Sequence, residues 1–287
     1  MGGQQHRGSL WIVGTPIGNL EDLSPRALAT LTRADAIFCE DTRVTAKIAA
    51  RFGVGAPRIS CPAPRESARA PELLRRLQAG ETVALVSDAG MPAVSDPGQG
   101  LVAAAAAAGF PVYVVPGPSA VSAALAVSGL KAVPHTFLGF LPSRSGERRR
   151  ALEARRSSPD TLVWFESPHR ISGSLEDAAA VLGPRRACVA RELTKIHEEV
   201  VRGTLPEAAA AFSARGAGRG EMTVVVEGAS EPAAPTDERN LDAAILEALA
   251  AGTDKRSIAR ELSARLRRPA REVYARAVEL AGREPGD

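Results

Sequence analysis

Two spacings of apolar residues alternate along this chain. Solid apolar runs at Leu10–Gly14 ("LWIVG"), Ala36–Cys39, Val83–Val86 and Val112–Val115 are bounded by turn residues, as expected of strands buried on both faces. Between them the spacing lengthens to helical. Leu28 and Leu31 follow Ser24-Pro25, which reads as an N-cap with proline at the first helical position. "PELLRRLQAG" stops at Gly80 and "LVAAAAAAGF" at Gly109. Strand and helix in repetition predict an α/β domain with a mostly parallel sheet over 10–126.

The alternation resumes further on. "PHTFLGFLP", "DTLVWFESPHRI", "RACVARELT" and "GEMTVVVEG" predict strands, and "SGSLEDAAAVLG" and "TLPEAAAAFSAR" helices, giving a second α/β domain over 127–228. Residues 229–239 are polar and proline-bearing, as in a linker. In 240–287 three short apolar faces follow: Leu241, Ile245 and Leu249; Ile258, Leu262 and Leu266; then Val273, Ala277 and Leu280 behind Pro269. Three helices with a basic middle one suit either a helix-turn-helix-like module or a plain helical cap. Residues 1–9 ("MGGQQHRGS") read as a disordered lead-in.

Composition adds little to this outline. The chain is 45% apolar and 24% charged, and it has no long apolar span, so a cytoplasmic location is expected. A net charge of +3 permits an anionic partner without requiring one. "RSGERRRALEARR" and "KRSIARELSARLRR" concentrate positive charge in two places. Cys39, Cys61 and Cys188 form no CxxC pair and read as reduced core thiols.

Candidate chemistry lies in three loops, Gly14–Asn19, Ser87–Pro97 and Pro116–Ala120, each after a strand, where open α/β sheets bind ligands. "GTPIGN" fits neither the dinucleotide fingerprint nor the triphosphate loop and carries no lysine, which argues against phosphate-anchored cofactors. "VSDAGMPAVSDPG" offers Asp88 and Asp96 to a metal or to amine, hydroxyl or sulfonium groups; two aspartates alone make a poor metal set. Both also suit helix caps and turns. Ser119 can cap a helix, touch a ligand, or both.

In order, "TPIGNLEDLSPRAL", "EDTR", "VALVSDAGMPAVSDPG", "VPGPSA", "SGL", "GFLP", "ESPHR", "RELTK" and "RGEMTVVVEG" resemble the tetrapyrrole-methylase superfamily, specifically its ribosomal RNA small subunit 2'-O-methyltransferase I family. The resemblance runs from Leu10 to about Gly228, and the tail is similar to that family's helix-turn-helix domain. It implies two α/β domains with S-adenosylmethionine in the cleft between them, and a homodimer. It also implies a 16S rRNA substrate in the small ribosomal subunit, methylated at the ribose of a decoding-region cytidine. Carried over by motif, Pro16, Ile17, Gly18, Asp88, Ala89, Gly90, Pro92, Val94, Ser119 and Ala120 would line the first wall of the donor site. Glu166, Leu193, Met222 and Val224 would line the second. Met91 stands where the family usually has threonine, and "CPAPRES", with Arg65 and Glu66, replaces a segment that in relatives carries histidine and asparagine.

Methyl transfer from a sulfonium requires alignment above all, with a base for the hydroxyl proton adding to it. Glu166, His169, Glu192 and Lys195 are the candidates, unranked; a lysine base would have to be neutral. No metal is required. Arg43, Arg144, Arg148, Arg149, Arg170, Lys255 and Arg256 are candidate RNA phosphate contacts. Two other readings remain open at this stage: a tetrapyrrole C-methyltransferase, and a non-catalytic RNA-binding assembly factor.

Overall fold

The computed structural model describes residues 8–215, 220–229, 238–266 and 268–282. β1 (Ser9–Val13), β2 (Ala36–Cys39), β3 (Arg58–Ser60), β4 (Thr82–Val86) and β5 (Val112–Val115) form a wholly parallel sheet in the order β3-β2-β4-β1-β5. Helices α1 (Pro25–Arg33), α2 (Thr42–Phe52), α3 (Glu66–Gln78) and α4 (Gln99–Ala107) cross between the strands. One face buries Val13, Ile37 and Val86 with Leu31 and Ile48; the other buries Leu10, Phe38 and Leu85 with Leu73 and Leu101. Both faces are covered, which is why these strands read as solid apolar runs. Because β4, β1 and β5 are neighbours, the three candidate loops emerge side by side.

α5 (Ala120–Ser128) runs through the expected 126/127 boundary. The second sheet contains β6 (His135–Phe140), β7 (Thr161–Glu166), β8 (Arg186–Arg191), β9 (Glu199–Thr204) and β10 (Met222–Val226) in the order β6-β7-β10-β8-β9. Only β6 and β7 run parallel; the other neighbours are antiparallel. Its outer face packs Leu162, Trp164, Val189 and Val224 against α6 (Ser145–Glu153), α7 (Ile171–Leu182) and α8 (Leu205–Arg215). Its inner face packs Val163, Cys188, Ala190 and Val225 against Ala124 and Leu125 of α5 and against Ile17. One helix of the first lobe thus joins the two sheets.

α2, β3, α6 and β9 were not expected from the apolar pattern. The three cysteines are buried and unlinked. Residues 230–237 of the expected linker and 1–7 of the lead-in lie outside the described residues. The tail is a separate unit from Ser230 onward: α9 (Glu238–Ala250), α10 (Lys255–Leu266) and α11 (Ala270–Ala281) enclose Leu241, Ile245, Ile258, Leu262, Val273 and Leu280. Arg276 clamps Asp242 with two hydrogen bonds, tying α11 to α9.

Candidate active site

The three loops hold one another through their backbones. Gly14 and Gly117 meet face to face: a Cβ on Gly14 would lie 2.6 Å from the Gly117 backbone. Thr15 and Gly90 exchange two backbone hydrogen bonds, of 2.9 and 3.2 Å, and the Thr15 hydroxyl donates to the Ser87 carbonyl. Gly90 sits at φ +82°, where a side chain would be strained. Ser119 accepts the Ser122 amide and caps α5, aiming that helix N-terminus at the loops.

Between these loops and the second sheet lies a cavity of about 270 Å³, just below the usual range of small-molecule sites, roughly 300–1,000 Å³. Of the residues carried over by motif, Ile17, Ala89, Gly90, Val94, Ser119, Ala120, Glu166, Leu193 and Met222 line it. Pro16, Gly18, Asp88, Pro92 and Val224 do not. Gly18 is a spacer: a Cβ there would strike Lys195 and Thr194, and next to it the Asn19 amide donates to the Thr194 hydroxyl. Val224 belongs to the opposite face of β10, in the outer core, because strand side chains alternate; Thr223 takes the cavity side. Asp96, one of the two loop aspartates offered to a ligand, lines it as well, and Met91, Phe140, Phe165, Glu221 and Thr223 are among the further lining residues not named as donor contacts.

The polar wall is acidic. Glu166 has a side chain with no solvent exposure; its Oε1 accepts the Ser167 amide and pairs with Arg170, while its Oε2 has no hydrogen-bond partner. A buried acceptor left open in this way is costly unless a ligand supplies the donor. Burial, reinforced by the charges of Asp88 and Glu221 and opposed by a hydrogen bond from Ser87, pushes Asp96 from 3.8 to about 6. Burial also raises Asp88, whose Oδ1 accepts the Asp41 amide and so braces the loop after β2. Glu66 has a similar bracing role, accepting the Gly100 and Leu101 amides at 2.5 and 3.1 Å to cap α4 from α3.

The surroundings of Lys195 favour its charged form. Burial works against its charge, but hydrogen bonds to Glu192 (2.8 Å) and Glu221 (3.0 Å) outweigh it and raise the ammonium above its ordinary value. Glu192 is held below the usual carboxylate range: burial opposes this, but hydrogen bonds from Lys195 and the Glu221 amide prevail. Lys195 thus links Glu192 to Glu221, and of the three only Glu221 lines the cavity. His169 is exposed in the turn after β7 and is not a wall residue.

The candidate RNA contacts divide by burial. Arg43 and Arg144 are open, with side chains 88% and 83% exposed beside Asp41 and Glu147. Arg148 is not a surface contact. It is buried 2.6 Å from Asp177 and also donates to the Pro142 and Ser143 carbonyls. Arg170 is likewise turned inward, onto the Leu141 and Pro142 carbonyls and Glu166. Arg149 shares Asp177 at 2.5 Å but remains half exposed. Lys255 and Arg256 open α10 in the separate tail unit, Arg256 exposed and Lys255 partly so.

Residues 9–209 match the family described as Tetrapyrrole (Corrin/Porphyrin) Methylases. The chain is 41% identical over 275 residues to a protein of Synechocystis sp. named "Ribosomal RNA small subunit methyltransferase I", covering 95% of this chain and 98% of that one. A relative of the same name from Thermotoga maritima is 44% identical, covering 77% of this chain and 99% of its own. The chain belongs to the ribosomal RNA small subunit methyltransferase I family. Among solved structures, the crystal structure of a diphthine synthase is similar in fold, with a TM-score of 0.62 at 16% identity over 77% of this chain and 90% of that one. Members of the methyltransferase I family and the wider tetrapyrrole methylases use S-adenosylmethionine as methyl donor. The cavity suits such a donor. It has apolar walls for a flat base and acidic side chains, Asp96 and Glu221, to face a cationic sulfur. Among the described residues its lining holds no lysine or arginine to anchor a phosphate-bearing cofactor.

Proposed function

We propose that this protein transfers a methyl group from S-adenosylmethionine to the ribose 2'-hydroxyl of a cytidine in the decoding region of 16S rRNA. The reading includes a homodimer in the cytoplasm acting on the small ribosomal subunit. The observation that supports the donor half is a cavity walled by the glycine loops of the first lobe and by the second sheet, with Asp96 and Glu221 in its lining. The names of full-length relatives support the RNA half.

S-adenosylmethionine, when bound, supplies an electrophilic methyl carbon. The chain's own residues supply alignment, which in favourable systems is worth roughly 7–11 kcal/mol. Ile17, Ala120 and Leu193 exclude water from the cavity, and the crossed glycine loops hold its first wall rigid. Asp96 and Glu221 balance positive charge from the cavity wall. Arg43 and Arg144 meet RNA phosphates in this reading, with Lys255 and Arg256 joining from the tail.

The deciding experiment supplies methyl-labelled donor with purified small subunits and, in parallel, with naked rRNA. Ribose label at one cytidine is expected, strongest on subunits and weakening as salt rises. Label on a base, or on neither RNA, would refute the proposal.

A pH dependence follows from Asp96. The group is anionic above about pH 6 and neutral below it, so its attraction for a sulfonium fades on acidification. Donor Kd is expected to rise about tenfold between pH 7 and 5. The Asp96→Asn variant should bind more weakly at pH 7 and show little change over that window. Calorimetric titration at the two pH values checks this, and a flat wild-type profile would remove Asp96 from the donor site.

A further inference from the structure

Phe140 is 58% exposed, although large apolar side chains at a built site are normally covered. It lines the mouth of the cavity together with Val94 of the other lobe, which is 54% exposed. Deeper wall residues are closed off: Ile17 and Leu193 are 8% exposed and Met222 is 3%. The aromatic therefore lies on the side from which an acceptor must arrive.

Its outward position is built into the backbone. Along the β6–β7 ladder, Phe137 pairs with Val163 and Phe140 with Phe165, so three steps on β6 oppose two on β7. The extra residue is a β-bulge, a device that re-aims the side chain beside it. Gly139 takes φ +63° there and lies so close to Ser95 that a Cβ would come within 3.2 Å of its hydroxyl. Phe165 backs the Phe140 ring at 5.5 Å and 60°, and is itself backed by Phe137 at 4.9 Å. The following carbonyls are pinned, Leu141 by Arg170, Pro142 by Arg170 and Arg148, and Ser143 by Arg148. The ring is thus supported from behind on a rigid turn, and the exposed Arg144 stands four residues beyond it. An exposed aromatic face with an open guanidinium a few residues along the same connection suits an unstacked nucleotide, base on ring and phosphate on cation.

We propose that Phe140 is a stacking platform for the nucleobase of the acceptor nucleotide, with Val94 across the mouth closing on its other side. This inference rests on the RNA-methylation reading above. In it the platform fixes the sugar relative to the donor, so Phe140 is chiefly a positioning residue for the acceptor, set on the exposed side of the donor cavity.

The test uses full-length wild type, Phe140→Ala, Phe140→Leu and Phe140→Trp, with small ribosomal subunits as substrate and donor affinity measured separately. Loss of a base–aromatic stack corresponds to a rise in KM for subunits of about 5- to 150-fold in Phe140→Ala. Donor Kd should change far less than this KM, because the ring stands on the exposed side of the cavity. Phe140→Trp should recover RNA affinity and Phe140→Leu should not, since stacking requires a flat face and a purely structural role would be served by either. A wild-type KM in Phe140→Ala, full recovery by Phe140→Leu, or an equal loss of donor affinity would each overturn the platform while leaving the methylation reading intact. Absence of RNA methylation by the wild type would instead defeat that reading, and this inference with it.

Discussion

Asp177→Ala is expected to cost about 3–5 kcal/mol of folding stability, the range for removing one partner of a buried ion pair. Asp177 is 4% exposed at its side chain and receives Arg148 at 2.6 Å, Arg149 at 2.5 Å and the Ser145 hydroxyl at 2.9 Å. Without it the Arg148 guanidinium, 7% exposed, keeps only backbone carbonyls for company. Burial by itself would raise the Asp177 carboxyl; the hydrogen bonds from Arg149, Ser145 and Arg148 prevail and hold it below 3.8. The sign follows. This stability is present above the unfolded carboxylate value and is lost as pH falls through the lower folded value. Urea midpoints at pH 7 should separate Asp177→Ala from Arg149→Ala, whose half-exposed pairing contributes about 1 kcal/mol or less. Replacing Arg148 and Asp177 together with Met and Leu should recover most of the loss, because the expense lies in the stranded charge. Equal losses in Asp177→Ala and Arg149→Ala would show that no buried charge is at stake.

That cluster also marks where the sequence was hard to read. "RSGERRRALE" is a helix whose buried residues are Arg148 and Leu152, so its inward face carries charge where an apolar stripe would be looked for. Its arginines look alike on paper; only packing separates Arg144 in solvent from Arg148 against Asp177. β9 was missed for a related reason: it is an edge strand with no fully buried residue, so "EVVRGT" lacks a contrast between faces. The first sheet was legible because each central strand is enclosed on both sides. The three cavity loops were legible because glycine and proline record backbone constraints directly. Phe140 was not, since nothing in "GFLP" announces a bulge; that arises only when β6 is laid against β7. The state of Lys195 was open in the sequence because a charged group's state depends on neighbours distant along the chain, here Glu221.

Gly14→Ala tests the legible part most severely. Its new Cβ would lie 2.6 Å from both Cα and N of Gly117 and 2.7 Å from Met91 Sδ. The sulfur can move; the backbone cannot, because Gly14 N donates to the Val115 carbonyl and Val13 is in register with Val115 on the adjacent strand. Relief therefore requires β1 and β5 to part at the carboxyl ends from which two cavity walls arise. Overpacking usually costs 1–3 kcal/mol, and a clash between two backbones belongs at the top of that range, about 3 kcal/mol. Donor affinity should fall at least tenfold, about 1.4 kcal/mol, because Ile17 and Ser119 lie on the displaced segments. Gly117→Ala, whose Cβ would meet Gly14 at 2.8 Å, should behave alike. Gly53→Ala is the control. It carries φ +72° with nothing within 4 Å of its Cβ, so it incurs only the left-handed backbone strain of about 1–2 kcal/mol and should leave donor binding unchanged. Thermal unfolding and donor titration of the three variants distinguish close approach from backbone conformation. Full donor affinity in Gly14→Ala would mean that the crossed loops do not shape the donor site.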